Sequence, residues 1–494
     1  MVKLPKILSA LAALPVAVYG AVALVAVAAM ACKVGTRFSF NVNEGWNAYW
    51  AAAAWSGADL YPPLTGLKLD NYLPLWFYLT GALGAVVGDN VRAGRAIAAA
   101  ALLLDAAVIA LIAREIVGRQ KGSYLGSNLG WWFAGVAFLA LFGIFHQDYA
   151  AADDPQILAS LFMLVAFWRV VRTADSAPSP TFWAGVVVLM LAAGLIKHNI
   201  VAAPLSIALF LLLSGRSRSL FWFIGLSAVA VAIAGVGLYA AYGKSMFSLL
   251  LVARPYNAGV AWSQSMTQFA QYGLLLAVIP FLAFRTDAKT RLVLIYAVVS
   301  LALGVAMSGV DGVDVNVFFD LLFCIAIGLG VMGARLAQYV HEADTPRGLR
   351  WAAVAAWLAI ALVSPLLAIG SAREGITDAF AAVTDDAYAA DLRYIRSMPP
   401  GPVICRDPTL CYFAGAPFNL DLNNIRSIAF AVPPLEDAVV ARIERCEFPL
   451  IELNDDWTDP VNGPLTDRIR AAIKAHYEQV RESKYGLYWR PRCK

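Results

Sequence analysis

Charge is scarce in this sequence: Asp, Glu, Lys and Arg make up 15% of its 494 residues, where soluble domains carry roughly a quarter. A chain so poor in charge does not read as an ordinary soluble enzyme. Histidine is scarcer still, with four residues, and acid and histidine ligands are sparse around the six cysteines, which argues against a zinc site. The net charge of +4 is too small to suggest a nucleic-acid partner. The sequence has no P-loop, Rossmann glycine fingerprint, Gly-x-Ser-x-Gly elbow or His-Glu-x-x-His pair. Soluble nucleotide chemistry therefore has no visible site. Ten-residue strands of alternating polarity are also missing, which excludes a β-barrel.

The chain is instead 60% hydrophobic, and the apolar residues fall in blocks long enough to cross a bilayer, about 20 residues each. The first runs from Ile7 to Ala31 behind Lys3 and Lys6. It is too long for a signal-peptide core and reads as an uncleaved helix, although Ala29-Met30-Ala31-Cys32 has some likeness to a lipoprotein cleavage site. Further spans are predicted at 94–113, 130–147, 156–172, 182–197, 200–214, 220–241, 271–284, 292–308, 317–338 and 351–370. The segment 72–88 is apolar but borderline in length.

Charge decides that segment. If 72–88 lies at the interface and the N-terminus is cytoplasmic, the basic residues collect at cytoplasmic ends. These are Lys3 and Lys6; Arg114, Arg119 and Lys121; Arg169 and Arg172; Arg216 and Arg218; Arg285, Lys289 and Arg291; and Arg335, Arg347 and Arg350. This follows the positive-inside rule at each turn, and a spanning 72–88 would break it repeatedly. Trp76, Phe77 and Tyr78 are then expected at headgroup depth. The expected architecture is an all-α polytopic membrane protein of about eleven transmembrane helices with a small α/β outer domain. Residues 1–370 form the membrane domain, with 33–93 as its first outer loop, and 371–494 form the outer domain. Cys405, Cys411, Cys446 and Cys493 all fall in that domain, where an oxidising compartment permits two disulfides. The spacing of Cys405 and Cys411 suits a local bridge, leaving Cys446 and Cys493 as partners.

Four constellations on the outer face could carry chemistry, since ionisable residues beside membrane helices mark function. Glu44 lies in the aromatic and amide-rich stretch Asn41 to Trp50 and could act as a base, or be an ordinary loop acid. Asp153-Asp154-Pro155-Gln156 opens a helix. Capping explains Asp154 but leaves Asp153 free to orient a substrate or a cation. Lys197-His198-Asn199 fills a short turn, where Lys197 either snorkels or clamps a phosphate, with Arg254 as a second cation. Asp311, Asp314, Asn316 and Asp320 lead into a span. There Asp320 needs a partner, and a helix–helix contact is the plainer role.

At these residues the chain resembles bacterial polytopic glycosyltransferases of the GT-C fold, the group around the protein O-mannosyltransferases and the aminoarabinose transferase of lipid A. Asn43-Glu44 stands where that family commonly has an acidic pair, so only Glu44 keeps a carboxylate. Asn71-Tyr72-Leu73-Pro74-Leu75-Trp76 is similar to its proline-aromatic stretch, Gly94-Arg95 to the arginine opening its next helix, and Asp153-Asp154 to its second acidic motif. The resemblance implies transfer of a hexosyl or pentosyl unit from a polyprenyl-phosphate donor to a lipid, glycan or protein acceptor at the outer face of a bacterial inner membrane. It implies Glu44 as first choice of base and Asp153 as second. Asp154, Lys197, His198, Arg254, Asp311, Asp314, Asn316, Tyr72 and Arg95 are expected at the substrates. No organic cofactor is expected, and a divalent cation is left open. The rival reading is a transporter or flippase of lipid-linked saccharides, which inverted repeats would favour; no convincing repeat is visible.

Overall fold

The computed structural model describes residues 4–118, 125–342, 345–459 and 463–493. Lys3, Arg119 and Lys121 of the charge pattern lie outside the described residues. Fourteen helices build the first part: α1 Leu4–Gly35, α2 Asn43–Ser56, α3 Leu75–Val87, α4 Asn90–Val117, α5 Leu125–Phe145, α6 Pro155–Arg172, α7 Pro180–Ile196, α8 Ala202–Leu213, α9 Ser217–Leu250, α10 Ala258–Tyr272, α11 Val278–Ala283, α12 Ala288–Met307, α13 Phe319–His341 and α14 Arg347–Ala381.

Among the described residues eight helices are long and apolar enough to cross a membrane, counting α10 and α11 as one. The part of α5 from Trp131 on, α7 and α8 are apolar but shorter. The eleven expected spans thus become eight full-length ones and three shorter helices. With 12 residues, α8 rises about 18 Å and falls short of a ~30 Å hydrocarbon core. Burial sorts the bundle. α13 is 89% buried over its apolar window and sits at the centre, whereas α9 is 6% buried and lies at the rim. α9 also runs to Leu250, past the expected end at 241, across a kink at Gly243 whose φ of 67° suits glycine.

α3 does not cross. Tyr72 just before it lies under Lys197 at the end of α7, and Asp89 just after it pairs with Arg37 beyond α1. Both ends therefore meet the same face of the bundle. Of the three aromatics expected at headgroup depth, Tyr78 is exposed, whereas Trp76 and Phe77 are fully buried. The reason is packing, because α3 lies against α2 and α4 and turns those rings into the protein.

On that same face the chain ends in an α/β unit. Its sheet has strand order β1-β2-β4-β3, with β1 Ile404–Cys405, β2 Ile451–Leu453, β3 Tyr477–Glu482 and β4 Leu487–Pro491. β1 and β2 run parallel, and the other pairs are antiparallel. Ile469, Ala472, Ile473 and Tyr477 fall on one helical face and would suit a helix from Thr466 to Val480, but it is cut short. The helix ends at His476 and β3 begins at Tyr477, because Tyr477 is fully buried and pairs across the hairpin with Pro491. Cys405 bonds to Cys411, and Cys446 to Cys493.

Residues 407–424 of this unit clasp α2. The Gly45 N–H donates to Thr409 Oγ1 at 2.9 Å, Trp46 Nε1 donates to Asp421 at 3.1 Å, and the Tyr49 hydroxyl donates to the Ala416 carbonyl at 2.6 Å. A β-carbon at position 45 would stand 2.1 Å from the Thr409 nitrogen, so only glycine permits that approach.

Candidate active site

The first outer loop returns to α4 through one ion pair. Arg95 Nε and Nη2 each reach Glu44 at 2.6 Å, and both side chains are fully buried. Glu44 also accepts N–H bonds from Phe40, Asn41 and Asp153. Arg95 spends its remaining donors on the carbonyls of Lys33, Thr36 and Phe38. A carboxylate held by five donors has no lone pair left for an acceptor proton. Glu44, the first choice of base from sequence, is therefore an anchor for the loop, bidentate on a planar guanidinium. Arg95 is the other half of that anchor and is likewise turned away from any substrate.

Asp153 is different. Its backbone is fixed at both ends, the N–H on Glu44 at 3.2 Å and the carbonyl taking Asn47 Nδ2 at 2.6 Å. Its carboxylate is fully buried, and neither oxygen accepts a well-formed hydrogen bond or a salt bridge among the described residues. Gly94 makes the room, because a β-carbon there would lie 2.0 Å from Asp153 Oδ1. Burial, then the charges of Glu44 and Asp154, push this carboxyl well above the usual range, against a smaller pull from Arg95. The buried Trp76 indole N–H, although outside strict hydrogen-bond geometry, acts on this same carboxyl and offsets part of that rise. Ala151 just upstream adopts φ 58°, a left-handed conformation that costs a non-glycine residue energy and marks a constrained turn.

The next residue leads to the cation. Asp154 caps α6 through the Gln156 N–H at 2.7 Å and pairs with Lys197 Nζ at 3.5 Å, both nearly inaccessible to solvent. Lys197 lies over the Tyr72 ring at 5.1 Å. Burial lowers its pKa, but Asp154 and Tyr72 outweigh that and leave it above the ordinary lysine value. His198 is driven below its usual pKa by burial and by the charges of Lys197 and Arg254. Burial raises the Tyr72 phenol, while Lys197 and Arg254 pull it down. Tyr72, Asp154, Lys197, His198 and Arg254 thus share one electrostatic neighbourhood, one residue from Asp153.

The last constellation borders it. Arg254 donates to the Asp311 carbonyl at 3.1 Å, and Ser427 donates to the Asp311 carboxylate at 2.8 Å. Asp314 accepts from Tyr149 at 2.8 Å. These two acids brace loops, which weakens their expected substrate roles. Asn316 and Asp320 line a small cavity with Gln156, Asn199 and Ser300, and Asp320 finds the partner it needs in the Tyr296 hydroxyl. Sequence reasoning missed Asn47, Trp76 and Gly94. Only the Asn41-x-x-Glu44-x-x-Asn47 spacing, one face of a helix turn, hinted at the first.

An anchored loop, a buried carboxylate without a salt bridge and a buried lysine thus gather on one face of the helical bundle. The fold is that of GT-C membrane glycosyltransferases. Among solved structures the chain is similar to ArnT from Cupriavidus metallidurans in the apo state, with 14% identity, TM-score 0.59, and coverage of 96% of this chain and 97% of that one. It is similar to the same protein bound to undecaprenyl phosphate, with 15% identity, TM-score 0.57 and the same coverage. No family model matches the chain, and no curated protein sequence matches it.

Proposed function

We propose that the protein is a membrane glycosyltransferase that moves a sugar from a polyprenyl-phosphate donor to an acceptor hydroxyl or amine. The observation that carries this reading is the fully buried Asp153 carboxylate, without a salt bridge, one residue from the Asp154–Lys197 pair. The fold shared with an undecaprenyl phosphate-bound protein supports it.

In this reading Asp153 takes the acceptor proton as the acceptor atom bonds to the anomeric carbon. The bond from that carbon to the phosphate oxygen breaks with its electron pair, and the configuration inverts. Lys197 and Arg254 stabilise the charge left on the phosphate, an electrostatic task best done in a dry site. Asp153 is sealed in this conformation, so acceptor binding requires a local opening, a gating step of the kind lids perform.

The test of the cation is a pair of variants. Lys197→Ala should weaken donor binding by about tenfold or more, the worth of a charge-assisted bond. Lys197→Arg should restore part of it by keeping the charge. Equal donor affinity in all three proteins, measured with a polyprenyl-phosphate sugar, would remove Lys197 from the mechanism.

We also propose that the site faces the outer side of a bacterial inner membrane. Reporter fusions at Arg216 and after Lys494 should report opposite compartments, with the former cytoplasmic. A cytoplasmic signal at the C-terminus would put the site inside, where soluble sugar nucleotides compete as donors.

A further inference from the structure

A cavity with about 170 Å³ of free volume opens between the end of α1, the turn after α5, α14 and the β3–β4 hairpin. Its aromatic wall is Phe38, Phe40 and Tyr485, and its polar groups include Lys33, Asp148 and Asp378. The Lys33 Nζ is nearly buried; it gives one proton to the Gln147 carbonyl at 2.6 Å and lies 5.1 Å over the Phe40 ring. An ammonium has three donors, so two remain. Asp385 and Lys484 are also on the wall, but they pair with each other at 3.3 Å. Asp148 and Asp378 are exposed to the cavity, and among the described residues neither carboxylate is in a salt bridge or hydrogen bond.

We propose that this cavity holds a non-reacting sugar unit of the acceptor, which makes the acceptor a glycan or a glycolipid. A sugar ring donates hydroxyls to two carboxylates, accepts from an ammonium and packs its apolar face against aromatic edges; the wall offers all three, the faces of Phe40 being covered by Lys33 and Arg95 and that of Tyr485 by Lys484. A phosphate would meet two free carboxylates and be repelled. A metal ion would meet the Lys33 ammonium that faces Asp148. The cavity also sits one residue layer from the anchored loop. The Phe40 N–H donates to Glu44 and the Lys33 carbonyl accepts from Arg95, the pair that fixes the Asp153 backbone. The cavity and the proposed base therefore share the Arg95–Glu44 anchor.

The proposal rests on the transferase reading for its meaning, and its test is kept separate from turnover. The full chain in nanodiscs is titrated with a panel of soluble oligosaccharides, with saturation-transfer NMR as the readout. At least one is expected to bind. Asp148→Asn and Asp378→Asn should each weaken that binding by about tenfold, and Asp378→Asn, at an exposed position, should do so with melting temperature unchanged. Inorganic phosphate should not compete. The proposal is overturned if no saccharide binds, if binding ignores both substitutions, or if phosphate displaces it. Binding that persists in a chain unable to use any polyprenyl-phosphate sugar would keep this site and sink the transferase reading.

Discussion

Asp153→Asn is expected to lower turnover by about 10²–10⁴-fold, the usual worth of a general base, while leaving the protein at least as heat-stable as before. The second half of that expectation follows from linkage. The Asp153 carboxyl has a folded pKa raised by burial and by Glu44 and Asp154. A raised acid pKa means that the folded chain holds the proton more tightly than the unfolded one. Stability is then lost as pH rises from the unfolded value of about 3.9 towards the folded one, and the loss persists above it. Asparagine removes that penalty. The melting temperature of the variant should therefore exceed that of the parent at neutral pH and converge with it below about pH 4. The acid limb of the parent's rate profile should lie above the usual carboxylate range, since the base works only when ionised. A variant that keeps full turnover would exclude Asp153 as the base.

The opposite pattern is expected at the ion pair. Glu44→Gln leaves the Arg95 guanidinium buried without its counter-charge, and breaking such a pair costs about 3–5 kcal/mol. Arg95→Met should be worse. It strands Glu44 and also removes the donors to the Lys33, Thr36 and Phe38 carbonyls, each of which then becomes a buried unpaired acceptor. Both variants should lose activity together with melting temperature and yield. Were Glu44 the base, Glu44→Gln would lose turnover with its melting temperature intact. One thermal scan of purified variants separates these outcomes.

The contrast also shows what local sequence can carry. Apolar blocks revealed most of the spans because bilayer thickness sets their length, and Asp154 read as a cap because capping needs only its next neighbours, here the Gln156 N–H. α10 escaped because Ser263, Gln264, Ser265, Gln268 and Gln271 dilute its hydropathy, so the expected span began only at 271. The helix–strand switch at Tyr477 escaped because β4 decides it from outside the segment. The site was legible as residue types but not as roles. Glu44 and Asp153 looked alike as acids beside an aromatic loop. What separates them is Arg95, 51 residues from Glu44, and Gly94, whose missing side chain leaves Asp153 room. Pairings over such distances leave no periodic trace.

The clasp between α2 and residues 407–424 puts a clock on the birth of this protein. Gly45 and Thr409 are 364 positions apart, and Trp46 and Asp421 are 375 apart. At roughly 5–20 residues per second of synthesis, the first outer loop leaves the ribosome about 20–70 s before the segment that completes it. Throughout that interval the Trp46 indole and the N-terminal amides of α2 lack their final partners, although Arg95 and Glu44 have both been made. The loop must therefore wait half-assembled, held by its ion pair and by Asn47 and Arg37, until the last quarter of the chain arrives to close over it.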